Sequence, residues 1–284
     1  MQVENEHVHA FSTDGELGAC NACDAADGSH TATGRVPLAV FCDAHHLLPA
    51  AETVAKKTGA PVIQTPEDAW QYPLLLKLDE LGLSLASGKT VMRGDFARMA
   101  ARIAKRNLSK ELVVRAAKVK DVDTPLVIDA TAGLGEDSFL LAAAGFRVEL
   151  FERDPVIAAL LEDALNRAKS DPALQDIAAR MNIAGTDSVE ALSHLNERPD
   201  VVLLDPMFPE KRKNAQAKKK LQLIQMLERP CSDEDELLEA ALSSLPRKIV
   251  IKRPAKGPFL AGRKPDYSLT GKTVRYDCIV IPRK

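Results

Sequence analysis

From Thr124 onward, apolar runs of three to five residues alternate with longer stretches in which apolar positions recur every three or four residues. The short runs, bounded by turn residues, predict buried strands over 126–129, 147–151, 182–184, 200–204 and 248–252. The longer period predicts helices over 136–144, closed by Gly145, over 155–169 with Pro155 in the first turn, over 188–195 and over 233–245. The stretch 273–281 reads as an extended partner of 267–269. Strand and helix in this alternation are the signature of βαβ units around a parallel sheet, so the fold class is α/β.

The earlier chain is less regular. Residues 1–58 read as a polar extension whose last part, 44–57, is a helix running up to Gly59. A short apolar run over 60–63 and partial alternation over 74–85 predict strands, with Gly82 and Gly88 in turns. Residues 93–120 carry nine basic side chains with Phe96, Met99, Ile103, Leu112 and Val113 between them, at broadly helical spacing interrupted near Asn107-Leu108-Ser109. The expected organisation is a polar extension (1–58), a small α+β subdomain with a basic helical segment (59–120), and an α/β domain (121–284).

Composition narrows the function. With 45% hydrophobic and 27% charged residues in 284, the chain is that of a soluble globular protein. Its longest uncharged apolar run, 138–146, falls well short of the ~20 residues a membrane span needs, and Glu4 and Glu6 argue against a signal segment. A cytoplasmic location with no membrane partner is expected. Five cysteines in so long a chain read as reduced thiols. The net charge of −2 conceals blocks of −7 (1–92), +7 (93–120), −11 (121–208) and +9 (209–284). Such blocks either present a positive face to a polyanion or are solvated helical faces. Cys20, Cys23, Cys42 and His45 have the spacing of a zinc knuckle; ordinary buried thiols beside the start of a helix are the plainer reading.

The chemistry gathers at predicted strand ends. The first strand runs into Asp129-Ala-Thr-Ala-Gly133-Leu-Gly135-Glu136-Asp137, a glycine turn opening a helix. Glu136 and Asp137 stand where a dinucleotide phosphate would sit and would repel it, so a cationic nucleoside ligand, S-adenosylmethionine, suits the turn better. The second strand ends in Glu152-Arg153-Asp154, about 20 residues on, where a carboxylate can take both ribose hydroxyls. Asp187 and Ser188 can address an adenine ring, cap the following helix, or do both.

The fourth strand ends in Asp205-Pro206-Met207-Phe208-Pro209, which resembles the D/N-P-P-Y/F motif of amino-group methyltransferases. An exocyclic amine is a poor nucleophile because its lone pair is delocalised into the ring. Asp205 and the Pro206 carbonyl can accept its N–H groups, Pro206 fixes the turn, and Phe208 can stack on the base. The basic residues Lys211, Arg212, Lys213, Lys218, Lys219 and Lys220 follow. With Arg102, Lys105 and Arg106, and with Lys252 and Arg253 at the fifth strand's end, they are expected to wall an RNA groove.

These residues resemble the bacterial ribosomal RNA small subunit methyltransferase J (RsmJ) family. The matching stretches are Asp129-Ala-Thr-Ala-Gly-Leu-Gly135, Glu152-Arg153-Asp154-Pro155-Val156, Leu204-Asp-Pro-Met-Phe-Pro209 with Lys211, and 250–254, within a likeness running from about Gly59 to the end. The resemblance implies a Rossmann-like class I S-adenosylmethionine-dependent methyltransferase that methylates N2 of guanine 1516 in 16S rRNA, with the 30S subunit as partner. It places cofactor contacts on Glu136, Asp137, Glu152, Arg153, Asp187, Ser188 and Asp205. Glu136 and Asp187 depart from the Arg and Ser familiar there, so backbone atoms are expected to make those contacts. DNA adenine or a protein glutamine as acceptor, and a non-catalytic RNA-binding assembly factor, are the alternatives.

Overall fold

The computed structural model describes residues 36–206, 223–224, 226–227 and 233–282. Its first sheet contains β1 (Leu38–Phe41), β2 (Val62–Ile63), β3 (Leu74–Asp79), β4 (Gly82–Ser87) and β5 (Thr90–Met92), in the order β2-β1-β3-β4-β5. β1 lies parallel between β2 and β3, and β3 to β5 form an antiparallel meander. The segment expected to be a polar extension thus supplies a central strand of this sheet and the helix α1 (Leu48–Thr58), which ends at Gly59 with φ 71°. α1 begins four residues later than expected because His45–Leu47 forms a 3₁₀ turn. The short helix α2 (Pro66–Ala69) follows β2.

The basic segment is broken more often than its spacing suggests, into a 3₁₀ turn at Phe96–Met99 and the helices α3 (Ala100–Ile103), α4 (Lys105–Leu108) and α5 (Leu112–Ala117). Ala104, with ψ 131°, makes the first break. Phe96, Met99 and Val113 are buried in the core of the larger domain, and Phe96 stacks on Phe139 with ring centroids 4.4 Å apart. Burying these side chains anchors the segment and overrides continuous helix.

The second sheet holds β6 (Leu126–Asp129), β7 (Arg147–Phe151), β8 (Met181–Gly185), β9 (Val201–Leu204), β10 (Lys248–Pro254), β11 (Tyr267–Thr270) and β12 (Val274–Val280). The order is β11-β12-β10-β9-β6-β7-β8, with β6 to β10 parallel and β12 antiparallel to β10. β6 and β9 are buried along their whole length, as strands covered on both faces must be. The covering helices are α6 (Glu136–Ala143), α7 (Pro155–Ser170), α8 (Gln175–Ala178), α9 (Ser188–Ser193) and α10 (Glu234–Ser243). Asp154 caps α7 by accepting the Val156 and Ile157 N–H groups. Val156, Ala159 and Leu160 on α7 share a core with Val40, Leu74 and Leu85 of the first sheet, joining the two sheets. No described helix is long and apolar enough to cross a membrane.

The chain steps outward from β6 to β7 and β8, then returns to β9 on the other side of β6. That reversal opens a crevice at the carboxyl ends of β6 and β9, the place where open α/β sheets bind ligands.

Candidate active site

The β6 strand delivers Asp129 to the crevice floor. Its buried carboxylate accepts the Ser138 hydroxyl at 2.5 Å and the Thr131 N–H at 3.2 Å. Burial pushes this carboxyl up to about 7, with the two hydrogen bonds opposing the shift only in part. The unfolded chain would titrate it near ~4, so between those values the native state holds the extra proton, and stability falls as pH rises through that window. Asp129→Asn is expected to flatten the pH dependence of the thermal midpoint between about pH 4 and 7; an unchanged slope would contradict this assignment.

Two glycines of the turn do different jobs. Gly135 has φ 73°, and a Cβ there would lie 2.7 Å from Leu161 Cδ1, so this glycine is required by packing. Gly133 has φ 54° and nothing within 4 Å of where a Cβ would stand, leaving open space against which a ligand can lie. Gly135→Ala is therefore expected to cost about 1–3 kcal/mol by overpacking in addition to left-handed strain. Gly133→Ala should cost only the strain, about 1–2 kcal/mol, with a larger loss of ligand affinity; calorimetric unfolding and ligand titration separate the two.

Around this turn stand carboxylates. Glu152 accepts the Gly133 and Asp154 N–H groups, each at 2.8 Å, so it ties the glycine turn to the start of α7. Burial raises its pKa and those two amides oppose the rise. Each carboxylate oxygen keeps acceptor capacity beyond its one amide bond. Asp187 caps α9 through the Glu190 N–H at 3.1 Å, and Ser188 beside it is buried. Arg153 pairs with Asp233 at 2.9 Å.

The centre of the crevice is an ion cluster. Lys252 Nζ lies 2.8 Å from Asp205 Oδ2 and 3.0 Å from Asp137 Oδ2, and the Tyr276 hydroxyl donates to the same Asp137 oxygen at 2.9 Å. The Asp205 N–H donates to Thr131 Oγ1 at 2.6 Å, linking the end of β9 to the glycine turn. Sheet register explains the convergence: Ile251 pairs with Leu204, so Lys252 reaches the level of Asp205, and its antiparallel partner is Tyr276. Burial lowers the lysine's pKa, but the two carboxylates more than reverse this and hold it well above its ordinary value. Burial and Asp137 together raise the Tyr276 phenol, which stays a hydrogen-bond donor.

Several expectations change here. Lys252, expected on the wall of an RNA groove, is paired with Asp137 and Asp205. Arg253 is 1% exposed, donating to Glu234 at 3.2 Å and to the Pro258 carbonyl at 3.1 Å, so it cannot contact a phosphate. The cause is β-strand alternation, which sends neighbouring side chains to opposite faces. Arg102 is paired with Glu111 at 2.9 Å, while Lys105 and Arg106 are exposed. Phe208, Lys211, Arg212, Lys213, Lys218, Lys219 and Lys220 lie outside the described residues, as do Cys20 and Cys23. Cys42 is buried with its thiol toward the Ala44 carbonyl at 3.4 Å, whereas His45 is exposed. Among the described residues no group of three His, Cys, Asp or Glu side chains could hold a metal. Thr131 and Tyr276 had no signal in local sequence, since each acts on a residue far along the chain.

The carboxylates of Asp137, Glu152 and Asp205 around the glycine turn suit a ligand with positive centres and no phosphate, as S-adenosylmethionine is. Residues 61–281 match the SAM-dependent methyltransferase sequence family. The protein is a class I S-adenosylmethionine-dependent methyltransferase. It is 45% identical over 73% of its length to ribosomal RNA small subunit methyltransferase J of Thioalkalivibrio sulfidiphilus, 85% of which is covered. Its identity to the Idiomarina loihiensis protein of that name is 38%, over 88% of this chain and 96% of that one. The chain belongs to the ribosomal RNA small subunit methyltransferase J family. The crystal structure of the SAM-dependent methyltransferase NGO1261 from Neisseria gonorrhoeae is similar, with a TM-score of 0.67 at 32% identity over 86% of this chain and 96% of that one.

Proposed function

We propose that the protein transfers a methyl group from S-adenosylmethionine to the exocyclic N2 amine of a guanine in 16S rRNA, in the cytoplasm, with the small ribosomal subunit as partner. The observation that carries this reading is Asp205 at the switch point of the sheet, its carboxylate held by Lys252 and its backbone N–H by Thr131. The relatives named above are small-subunit rRNA methyltransferases, which supplies the substrate class.

S-adenosylmethionine supplies an electrophilic methyl group when bound. Glu152 takes the ribose hydroxyls, Asp187 and Ser188 address the adenine, and Gly133 lets the backbone lie close. Asp205 and the Pro206 carbonyl accept the two N–H bonds of the target amine, which turns its lone pair out of conjugation and toward the methyl group. The sequence motif assigns to Phe208 the stacking on the base. Positioning of this kind is worth effective molarities of about 10⁵ M and above. As the methyl group would pass from sulfur to nitrogen, leaving the cofactor as a neutral thioether, the Asp205 carboxylate would stabilise the positive charge on the nitrogen, and the amine's proton would leave late, through water to solvent. Lys252 touches no reacting atom in this scheme; it is a positioning residue that keeps Asp205 oriented and anionic.

The acceptor class is tested by offering labelled S-adenosylmethionine with small subunits from cells lacking this enzyme, with DNA, or with total protein. Label entering only the rRNA supports the reading, and label in DNA or protein overturns it.

A further inference from the structure

The rim of the crevice beside the ion cluster is built by two turns that no motif marks. β10 leaves the sheet at Pro254, and β11 returns to β12 through Gly271-Lys272-Thr273. The Ala255 N–H donates to the Thr273 carbonyl at 2.9 Å, so the turns lie side by side at the carboxyl end of β10. Gly271 packs against α5: a Cβ there would stand 2.8 Å from Leu112 Cδ1. The opposite end of α5 reaches the start of β10, where the Ala116 carbonyl accepts Lys248 Nζ at 2.9 Å. α5 therefore runs down the sheet, and the chain just before it, with Lys105, Arg106 and Lys110, lies toward the rim.

The first turn is held rigidly. Arg275, 8% exposed, donates to the Ala255, Gly257 and Pro258 carbonyls at 3.3, 2.9 and 3.3 Å, while Asp277 at 2.8 Å balances its charge. Lys105, Arg106, Lys110, Lys256 and Lys272 are all exposed, and none makes an ion pair with a described residue. No acid occurs between Pro254 and Pro265, and Glu111 is already paired with Arg102.

We propose that Lys110, Lys256 and Lys272, with Lys105 and Arg106, form a phosphate-binding rim that holds the RNA backbone flanking the target base. The inference rests on the RNA substrate proposed above and names the surface that grips it. Exposed cations without acidic partners carry counterions that phosphates release, and such contacts position a strand without reading it. Turns fixed by a buried arginine bind with less ordering cost than free loops.

The test compares wild type with the triple variant Lys110→Gln/Lys256→Gln/Lys272→Gln and with the matching triple Lys→Arg variant. Equilibrium binding of transcribed 16S rRNA is measured across a salt series, together with S-adenosylmethionine affinity and methyl transfer to small subunits. The glutamine variant is expected to bind RNA about tenfold more weakly near 0.15 M salt, with the slope of log affinity against log salt reduced by about two. The arginine variant should restore both, and cofactor affinity should stay within about twofold for each. Unchanged RNA affinity and slope with intact cofactor binding would overturn the rim. Wild type that binds RNA but methylates none of it would overturn the substrate reading instead, and the salt slopes would still decide the rim.

Discussion

Asp205→Ala is expected to lower methyl transfer about a thousandfold or more while S-adenosylmethionine affinity changes by less than about tenfold. The carboxylate contacts the target amine in the proposed geometry, and loss of a preorganised electrostatic partner at a reacting centre costs on this scale. The folded structure should survive, because the side chain stands at a strand end and its backbone N–H keeps Thr131 as acceptor. Single-turnover kinetics with prebound cofactor isolates the chemical step. A variant that turns over near the wild-type rate would remove Asp205 from the mechanism.

Lys252→Met is expected to lower kcat about a hundredfold and to move the acidic limb of the pH–rate profile upward. In the native protein one ammonium lies within 3.0 Å of both Asp205 and Asp137. Without it, two carboxylates share the crevice uncompensated, which raises the pKa of one of them. The sign follows: a catalytic carboxylate with a raised pKa is protonated, and inactive, at higher pH than before. Lys252→Arg keeps the charge and should restore the acidic limb, with incomplete recovery of kcat because a planar guanidinium fits the two oxygens differently. A lysine that merely supported the fold would lower the thermal midpoint and leave the limb in place, and that outcome would refute its positioning role.

The parallel-sheet half of the fold was legible because two signals agreed there. Strands β6 and β7 and the first turns of α6 and α7 stand where period, length and turn residues placed them. The switch-point site was legible for a related reason: Asp129, the glycine turn and Asp205 each sit at a strand's carboxyl end, which sequence marks directly. β1 was not legible, since four residues, Leu38–Phe41, carry no period and become a central strand only through pairing with β2 and β3. The roles of Lys252 and Arg253 depended on which face of β10 each occupies, and a run of basic residues does not reveal that. Tyr276 meets Asp137 across 139 positions of sequence, a contact that only the antiparallel register of β12 on β10 creates.

The most direct measurement is nucleoside analysis of 16S rRNA from small subunits lacking the modification, after incubation with S-adenosylmethionine and either wild-type protein or Asp205→Ala. The account predicts N2-methylguanosine with wild type and none with the variant. Methyl label in any other nucleoside, or equal N2-methylguanosine from both proteins, would contradict it.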